Sequence, residues 1–215
     1  MAAAAIAVVV FVAMMIGYVQ GWAWLAAVDL WFLDGLQPIG AAHPAWVTTW
    51  DVVCTVLGPT AFRIVGVIVI IWLLMRRYLR PALFLVLSIE LSGLVTTVAK
   101  LLADRPRPAT AMVDAFGTSF PSGHALGVMA SVLALLTLLL PAVDARWRAP
   151  LIIAGAALVV VIGAGRVVLN VHHPSDVVAG WTLGYLWWLA CLKMLQPLPI
   201  ATESVETPAA PGRGH

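Results

Sequence analysis

Charged side chains are scarce in this sequence. Only 10% of its 215 residues are Asp, Glu, Lys or Arg, whereas 62% are hydrophobic, and the mean hydropathy is +1.00. These values exclude an ordinary soluble domain, in which about a quarter of the residues are charged. The shortage of charge therefore indicates that lipid surrounds most of the chain.

Cysteine is also rare, and its positions exclude a disulfide framework. Cys54 and Cys191 fall near opposite ends of two different apolar segments. At about 1.5 Å per helical residue, most of the membrane thickness would separate them, which is far beyond the reach of an S–S bond. We expect both cysteines to be small apolar packing residues.

Long apolar runs dominate what the sequence does contain. A membrane-spanning helix needs about 20 apolar residues, and such runs occur near residues 4–26, 53–75, 81–102, 123–141, 149–169 and 176–196. The first run has no basic residue before it and is followed by Trp22 and Trp24, so we interpret it as a helix rather than a secretion signal. The pattern predicts an all-α polytopic membrane protein, a bundle of six transmembrane helices.

The chain divides into three parts on this basis. Residues 1–50 hold the first helix and an outer interfacial loop, residues 51–196 form the core, and residues 197–215 form a tail that we expect to be disordered, because it is rich in Pro, Ala and Gly. The aromatic residues of the loop, near 28–50, suit the membrane interface. We favour an anchoring role for them over a role in gating substrate entry.

The basic residues orient the bundle. If the six helices alternate in direction, one side carries Arg76, Arg77, Arg80, Arg146, Arg148, Lys193 and Arg213. The positive-inside rule makes that side cytoplasmic. The sequence therefore predicts cytoplasmic termini and, because the compact chain looks bacterial, a place in the inner (plasma) membrane.

Polar residues cluster where the apolar runs reach the outer face. The stretch of about 42 residues from His124 to Arg166 accommodates one crossing in each direction, so three distant segments should meet at one level. They contribute Lys100 with Arg107, Ser122 with His124, and Arg166 with His172 and Asp176. We expect one cavity at the outer face to hold them all.

The three cations of this cluster suit a bound phosphate. They have no nearby excess of carboxylates, and Lys and Arg donors match phosphate oxygens. Ser122 and Gly123 fall at the start of the fourth helix, where unpaired N–H groups and the positive end of the helix dipole attract anions. The same cations would repel zinc from His124, His172 and Asp176, so no metal and no cofactor is expected.

Two histidines supply the remaining chemistry. Pro174 suits the first position of the sixth helix, which places Asp176 in the first turn. Asp176 can then accept a hydrogen bond from one ring nitrogen of His172, leaving the other nitrogen to attack phosphorus. His124 can protonate the leaving oxygen and later activate water. These residues form a complete hydrolytic set.

The same residues carry a family resemblance. The segments "KLLADRPRP" (100–108), "PSGH" (121–124) and "GRVVLNVHHPSD" (165–176) resemble, in order and spacing, the three signature motifs of the type 2 phosphatidic acid phosphatase (PAP2) superfamily. The resemblance covers about residues 50–190. It implies a six-helix, metal-independent phosphatase that works through a phosphohistidine.

The resemblance also implies a role for each motif residue. His172 is the nucleophile, Asp176 orients it, His124 is the acid and base, and the phosphate ligands are Lys100, Arg107, Ser122, Gly123 and Arg166. One position departs from the family, because Gly165 stands where the third motif usually has serine. His173 stands where the family often has an aromatic residue, and we assign it no catalytic role.

Two charged residues stay outside this site. We expect Arg105 to be solvated or to contact lipid headgroups. Glu90 lies within the third apolar run, and carboxylates inside membranes are often functional. It has either a packing role or a role in substrate passage.

The sequence thus indicates a lipid phosphatase whose partners are the bilayer and a lipid phosphate substrate, and not nucleic acid. We favour a polyprenyl diphosphate as substrate, followed by phosphatidate or phosphatidylglycerol phosphate. The alternative is a lipid-phosphate transporter or a phosphotransferase of the same architecture, although such a carrier would not need an activated His172. The sequence carries no signal for the oligomeric state.

Overall fold

The computed structural model describes residues 1–197, and every regular element in that range is helical. Nearly all of the predicted tail, 197–215, lies outside the described residues. The helices are α1 (Ala2–Val19), α2 (Ala23–Ala42), α3 (Pro44–Val56), α4 (Pro59–Met75), α5 (Leu79–Leu85), α6 (Ser92–Ala103), α7 (Gly123–Leu139), α8 (Ala145–Val168) and α9 (Pro174–Leu195). A π-helical turn, Val86–Glu90, joins α5 to α6.

Within residues 1–197, six helical stretches are long and apolar enough to cross a membrane, which confirms the predicted fold class. Three of them are the single helices α1, α8 and α9. The others combine neighbouring elements: α3 with α4, α5 with α6, and α7 with the short 3₁₀ turn that follows it. The second stretch begins at Pro44, well before the predicted start, because α3 continues the apolar segment outward.

The predicted outer loop is mostly helical, so this part of the prediction was wrong. It contains most of α2 and the first half of α3. Leu25, Asp29 and Leu33 are buried at four-residue spacing, and they form one face of α2 that packs inward. Pro38 lies inside this helix. Because proline is common in turns, the segment resembles a loop in sequence. Helix α2 therefore places an acidic residue, Asp29, in the interior.

Helices α7 and α9 approach each other closely through two glycines. A Cβ atom on Gly180 would lie 2.6 Å from the Ser122 carbonyl oxygen, and one on Gly184 would lie 2.6 Å from the Leu126 carbonyl oxygen. Glycines four residues apart allow this backbone contact between membrane helices. The Ser122 N–H also donates to the Asp176 carbonyl at 2.9 Å. The first turns of α7 and α9 are thereby fixed side by side.

Glu90 lies in the interface between the second and third membrane stretches. A Cβ atom on Gly66 of α4 would be 3.0 Å from Glu90 Oε1, and one on Gly93 of α6 would be 2.3 Å from Arg63 Nη2. Each charged side chain thus extends over a glycine of the opposite helix. Glu90 Oε1 and Arg63 Nε are buried and have no hydrogen-bond partner among residues 1–197.

Candidate active site

The structure brings the predicted site residues to one end of the helix bundle. They come from the last turns of α6 and α8, the first turns of α7 and α9, and the connections between these helices, and they are Lys100, Arg107, Ser122, Gly123, His124, Arg166, His172 and Asp176. Four of them, Lys100, Arg107, Arg166 and His172, lie close enough to His124 to act on it electrostatically. Tertiary packing therefore assembles one cluster from distant segments.

His172 is buried, with 2% of its surface exposed. Its Nε2 atom lies 3.3 Å from Arg107 Nη1. Because arginine only donates hydrogen bonds, this contact requires Nε2 to be unprotonated, so the proton of the neutral ring is on Nδ1. Nδ1 faces the Ser119 hydroxyl at 3.4 Å and Asp176 Oδ2 at 3.6 Å.

Burial lowers the pKa of His172 to about 4; the Asp176 carboxylate opposes this shift, and the positive charges of Arg166 and Arg107 add to it. The ring is therefore neutral near pH 7. Its unprotonated Nε2 faces the cations that suit a phosphate. This is the arrangement that a histidine nucleophile requires.

The Asp176 carboxylate has several partners. Oδ2 accepts hydrogen bonds from the Ser119 hydroxyl and from the His173 backbone N–H, the latter at 2.8 Å. Oδ1 accepts from Arg105 at 2.7 Å. The 3.6 Å distance from Oδ2 to His172 Nδ1 is longer than a hydrogen bond. The pair is thus an electrostatic contact, and the Ser119 hydroxyl touches both members.

His173 stabilises the start of α9. Its Nδ1 lies 3.1 Å from Asp176 Oδ2, and its backbone N–H binds the same oxygen, which completes a capping box around the first turn. Pro174 occupies the first helical position, as its fixed φ favours. The contacts of His173 are those of a helix cap.

Backbone carbonyls of segment 116–119 hold two of the cations. Arg107 donates from Nε and Nη2 to two carbonyls of this segment, at 3.0 and 2.8 Å. Its Nη1 donates to the Val171 carbonyl at 2.8 Å. Lys100 Nζ donates to two further carbonyls of the segment. The segment therefore fixes the positions of both cations, and Arg107 lies directly beside His172.

At the start of α7, the polar groups of Ser122 have partners within the protein, and this distinguishes Ser122 from the residues that follow it. The Ser122 side chain accepts from the Ala125 N–H at 3.4 Å as the helix cap, and its own N–H binds Asp176. Gly123 and His124 follow, and N–H groups in a first turn have no acceptor within the helix. Gly123 rather than Ser122 thus offers a backbone donor for a phosphate oxygen. His124 is half-buried beside Gly58, where α3 gives way to α4.

The departure at Gly165 has a steric cause. A Cβ atom at this position would lie 2.5 Å from Cys54 Sγ and 2.9 Å from Trp50 Cε3. Cys54 is fully buried, and its thiol lies against the Arg166 guanidinium. The thiol therefore fills the space that a serine side chain at position 165 would take. Both cysteines are free and buried, as the packing interpretation expects.

Arg105 is buried rather than solvated, so the expectation for this residue was wrong. Only 7% of its surface is exposed, and its guanidinium bridges Asp29 and Asp176 at 2.9 and 2.7 Å. Sequence reasoning also missed Ser119, which contacts both His172 and Asp176. The sequence did carry a signal for the burial of Asp29, because this residue lies four positions from Leu25 and four from Leu33, and both leucines are buried.

Comparison with known proteins places this geometry in context. The model of the PAP2 superfamily matches residues 81–199. The chain is 32% identical over 129 residues to an undecaprenyl-diphosphatase of Sulfolobus acidocaldarius, across 57% of this chain and 58% of that protein. It is 34% identical over 138 residues to a phosphatidylglycerophosphatase B of Bacillus subtilis, across 61% and 67% of the two chains.

One solved structure shares the fold. It is the crystal structure of a transmembrane PAP2-type phosphatidylglycerolphosphate phosphatase from Bacillus subtilis. The TM-score is 0.79 at 20% sequence identity, and the alignment covers 93% of this chain and 99% of the other. At that identity the likeness shows a common helical architecture.

Proposed function

The chain belongs to the PAP2 superfamily, and from that premise we propose that it is an integral-membrane lipid phosphatase that hydrolyses a phosphate monoester or diphosphate of a membrane lipid. One observation carries the proposal. His172 presents an unprotonated Nε2 to Arg107 at 3.3 Å, within a cluster of three cations. Such a cluster attracts a phosphate. When a phosphate oxygen replaces Nε2 as the acceptor of the Arg107 N–H, the Nε2 lone pair becomes available as a nucleophile.

The reaction begins when the phosphate binds among Lys100, Arg107 and Arg166, with the Gly123 N–H at one oxygen. His172 Nε2 attacks phosphorus, and the bond between phosphorus and the lipid-side oxygen breaks. His124 donates its proton to that leaving oxygen. The cations stabilise the negative charge that the equatorial oxygens carry in the transition state.

The second step regenerates the site. His124, now neutral, takes a proton from water, and the water oxygen attacks the phosphohistidine. The bond from phosphorus to Nε2 breaks, inorganic phosphate leaves, and His172 returns to its neutral state. No metal takes part in this scheme, because Lys100, Arg107 and Arg166 already supply the positive charge and would repel a dication.

A polyprenyl diphosphate is the substrate that we favour. The support is the similarity to a protein named as an undecaprenyl-diphosphatase. Phosphatidylglycerol phosphate and phosphatidate come next, since another relative is named as a phosphatidylglycerophosphatase. All of these lipids place a phosphate at headgroup level, where the site residues lie at the end of the membrane helices.

We also propose that the site faces the outer side of the inner (plasma) membrane, with both termini of the chain cytoplasmic. The support is the position of the arginines. Arg76, Arg77 and Arg80 follow α4 and Arg146 and Arg148 begin α8, all at the end of the bundle opposite the site. Basic residues concentrate on the cytoplasmic side of membrane proteins.

A transporter or phosphotransferase of the same architecture is the competing class. A carrier needs cations that bind and release phosphate, but it has no use for a histidine whose Nε2 lone pair is held toward them. The orientation of His172 thus favours hydrolysis over transport. A phosphotransferase would share the first chemical step and differ in its acceptor.

The test is phosphate release by detergent-purified protein, with EDTA, from polyprenyl diphosphate, phosphatidylglycerol phosphate and phosphatidate. His172→Ala removes the nucleophile, so we expect a loss of about 10⁴-fold or more. His43→Ala is the matched control, because His43 is exposed at the junction of α2 and α3. Lipid binding without phosphate release by the wild type would refute hydrolysis. Equal release by wild type and His172→Ala would refute the assigned nucleophile.

A further inference from the structure

A buried ionic network lies behind the site. Arg105 donates to Asp176 Oδ1 at 2.7 Å and to Asp29 Oδ2 at 2.9 Å. Asp29 in turn accepts from the Ser175 backbone N–H at 2.9 Å and from the Ser175 hydroxyl at 2.6 Å. Asp29, Arg105, Ser175 and Asp176 are all buried, and Arg105 reaches His172 only by way of the Asp176 carboxylate.

We propose that Asp29 and Arg105 are positioning residues for hydrolysis, which hold the Asp176 carboxylate in place and set the charge that it presents to His172. This inference rests on the proposed function. Asp29 lies outside residues 81–199, the segment that the superfamily model matches. Helix α2 thus contributes to the reaction although it carries none of the three motifs.

The geometry supports positioning because the two oxygens of Asp176 have separate partners. Arg105 binds Oδ1. Oδ2 accepts a hydrogen bond from Ser119 and lies 3.6 Å from His172 Nδ1. Loss of the guanidinium would leave Oδ1 without the partner that fixes it and would leave the negative charge of the carboxylate uncompensated. Both changes act on the ring through Asp176.

Asp29 controls how Arg105 is shared. The guanidinium is divided between two buried carboxylates, so each receives only part of its charge. If Asp29 were neutral, the whole positive charge of Arg105 would compensate Asp176. Removing Arg105 would leave Asp176 with less compensation than it has in the wild type. The two substitutions therefore change the electrostatic field at His172 in opposite senses.

The other charges that face His172 do not change in these variants. They belong to Arg107 in the loop, Arg166 on α8 and His124 on α7, with Lys100 on α6 beyond them. An uncompensated Asp176 favours the protonated ring, which raises the pKa of His172 from about 4. A better compensated Asp176 does not raise it.

The test compares Arg105→Gln, Arg105→Lys and Asp29→Asn in the full-length protein, by the pH dependence of kcat/KM for phosphate release. We expect Arg105→Gln to lower kcat by about 10- to 100-fold with little change in KM. Its acid limb should move to higher pH by about one unit. Arg105→Lys should recover part of kcat, because lysine pairs with one carboxylate at a time. Asp29→Asn should not move the acid limb upward.

The controls separate this role from a general structural one. Asp34→Asn changes an exposed residue of α2, and Arg146→Gln changes an exposed arginine at the other end of the bundle; both should behave as wild type. Thermal unfolding in detergent shows which variants fold, and Arg105→Lys serves if Arg105→Gln does not. An active wild type with unchanged variants, or with acid limbs that move the same way in Arg105→Gln and Asp29→Asn, would overturn the positioning role. An inactive wild type would instead overturn the proposed function on which it rests.

Discussion

Replacing Gly165 by serine restores the residue that the family motif usually has, yet we expect it to impair this protein. The new Cβ atom would lie 2.5 Å from Cys54 Sγ and 2.9 Å from Trp50 Cε3. Both neighbours are packed in the same apolar cluster and Cys54 is fully buried, so the new atom must displace packed side chains. Overpacking of this kind costs about 1–3 kcal/mol.

The cost should appear in catalysis because Arg166 follows Gly165 directly and contacts Cys54. A displacement of the guanidinium weakens its hold on the transition state. If the full 1–3 kcal/mol is expressed there, kcat/KM falls by about 5- to 160-fold. The assay is phosphate release under substrate-limiting conditions. Gly165→Ala should lose a similar amount, because the Cβ atom makes the clash.

A second substitution tests the cause. Cys54→Ala removes the sulfur atom and makes room for the serine, so Cys54→Ala/Gly165→Ser should be more active than Gly165→Ser alone. We expect a favourable coupling of about 1–3 kcal/mol between the two positions. Gly35→Ser is the control, since a Cβ atom at Gly35 meets no atom within 4 Å. Wild-type activity of Gly165→Ser, or a double variant no better than the single one, would refute the steric explanation.

Three further predictions follow from the site and its scaffold. Because the neutral form of His172 attacks and burial lowers the pKa of His172 to about 4, kcat/KM should stay high down to about pH 4 and fall below it; an acid midpoint near 6.5 would contradict this. A phosphate bound beside His124 favours the protonated ring, so kcat should show a second, alkaline limb where the bound complex loses that proton. Arg107→Lys should raise KM about tenfold or more, because lysine cannot keep the separate contacts of Nε, Nη1 and Nη2; inhibition by inorganic phosphate measures this, and an unchanged KM would refute it. Gly184→Ala should force α7 and α9 apart and cost about 1–3 kcal/mol, measured as thermal stability and activity, and an unaffected variant would show that the close contact at Leu126 is dispensable.

Several features of the molecule could be predicted without any tertiary contact. Hydropathy located the membrane stretches, because each one must satisfy its backbone within a single helix and expose apolar side chains to lipid. The three motifs predicted the residues of the candidate site, since each motif is a short segment whose spacing is local. The alternation of the helices predicted the end of the bundle at which these residues meet.

The helical state of α2 could not be predicted in the same way. Pro38 and Gly35 are residue types that are common in loops, so the segment resembles a loop in sequence. The helix is stabilised because Leu25, Asp29 and Leu33 pack against the bundle. Propensity is a weak guide where tertiary burial supplies most of the stabilisation of a helix. The same burial turned an acidic residue of that helix into a partner of the site.

The sequence by itself determined the membrane architecture and the set of residues that we propose to carry the chemistry, because both depend on local composition and spacing. Only the tertiary structure decided how those residues are supported. Asp29 and Arg105 are 76 residues apart, and Cys54 reaches Gly165 from a different helix. Such contacts depend on side-chain volume and charge in three dimensions, and no periodicity along the chain encodes them.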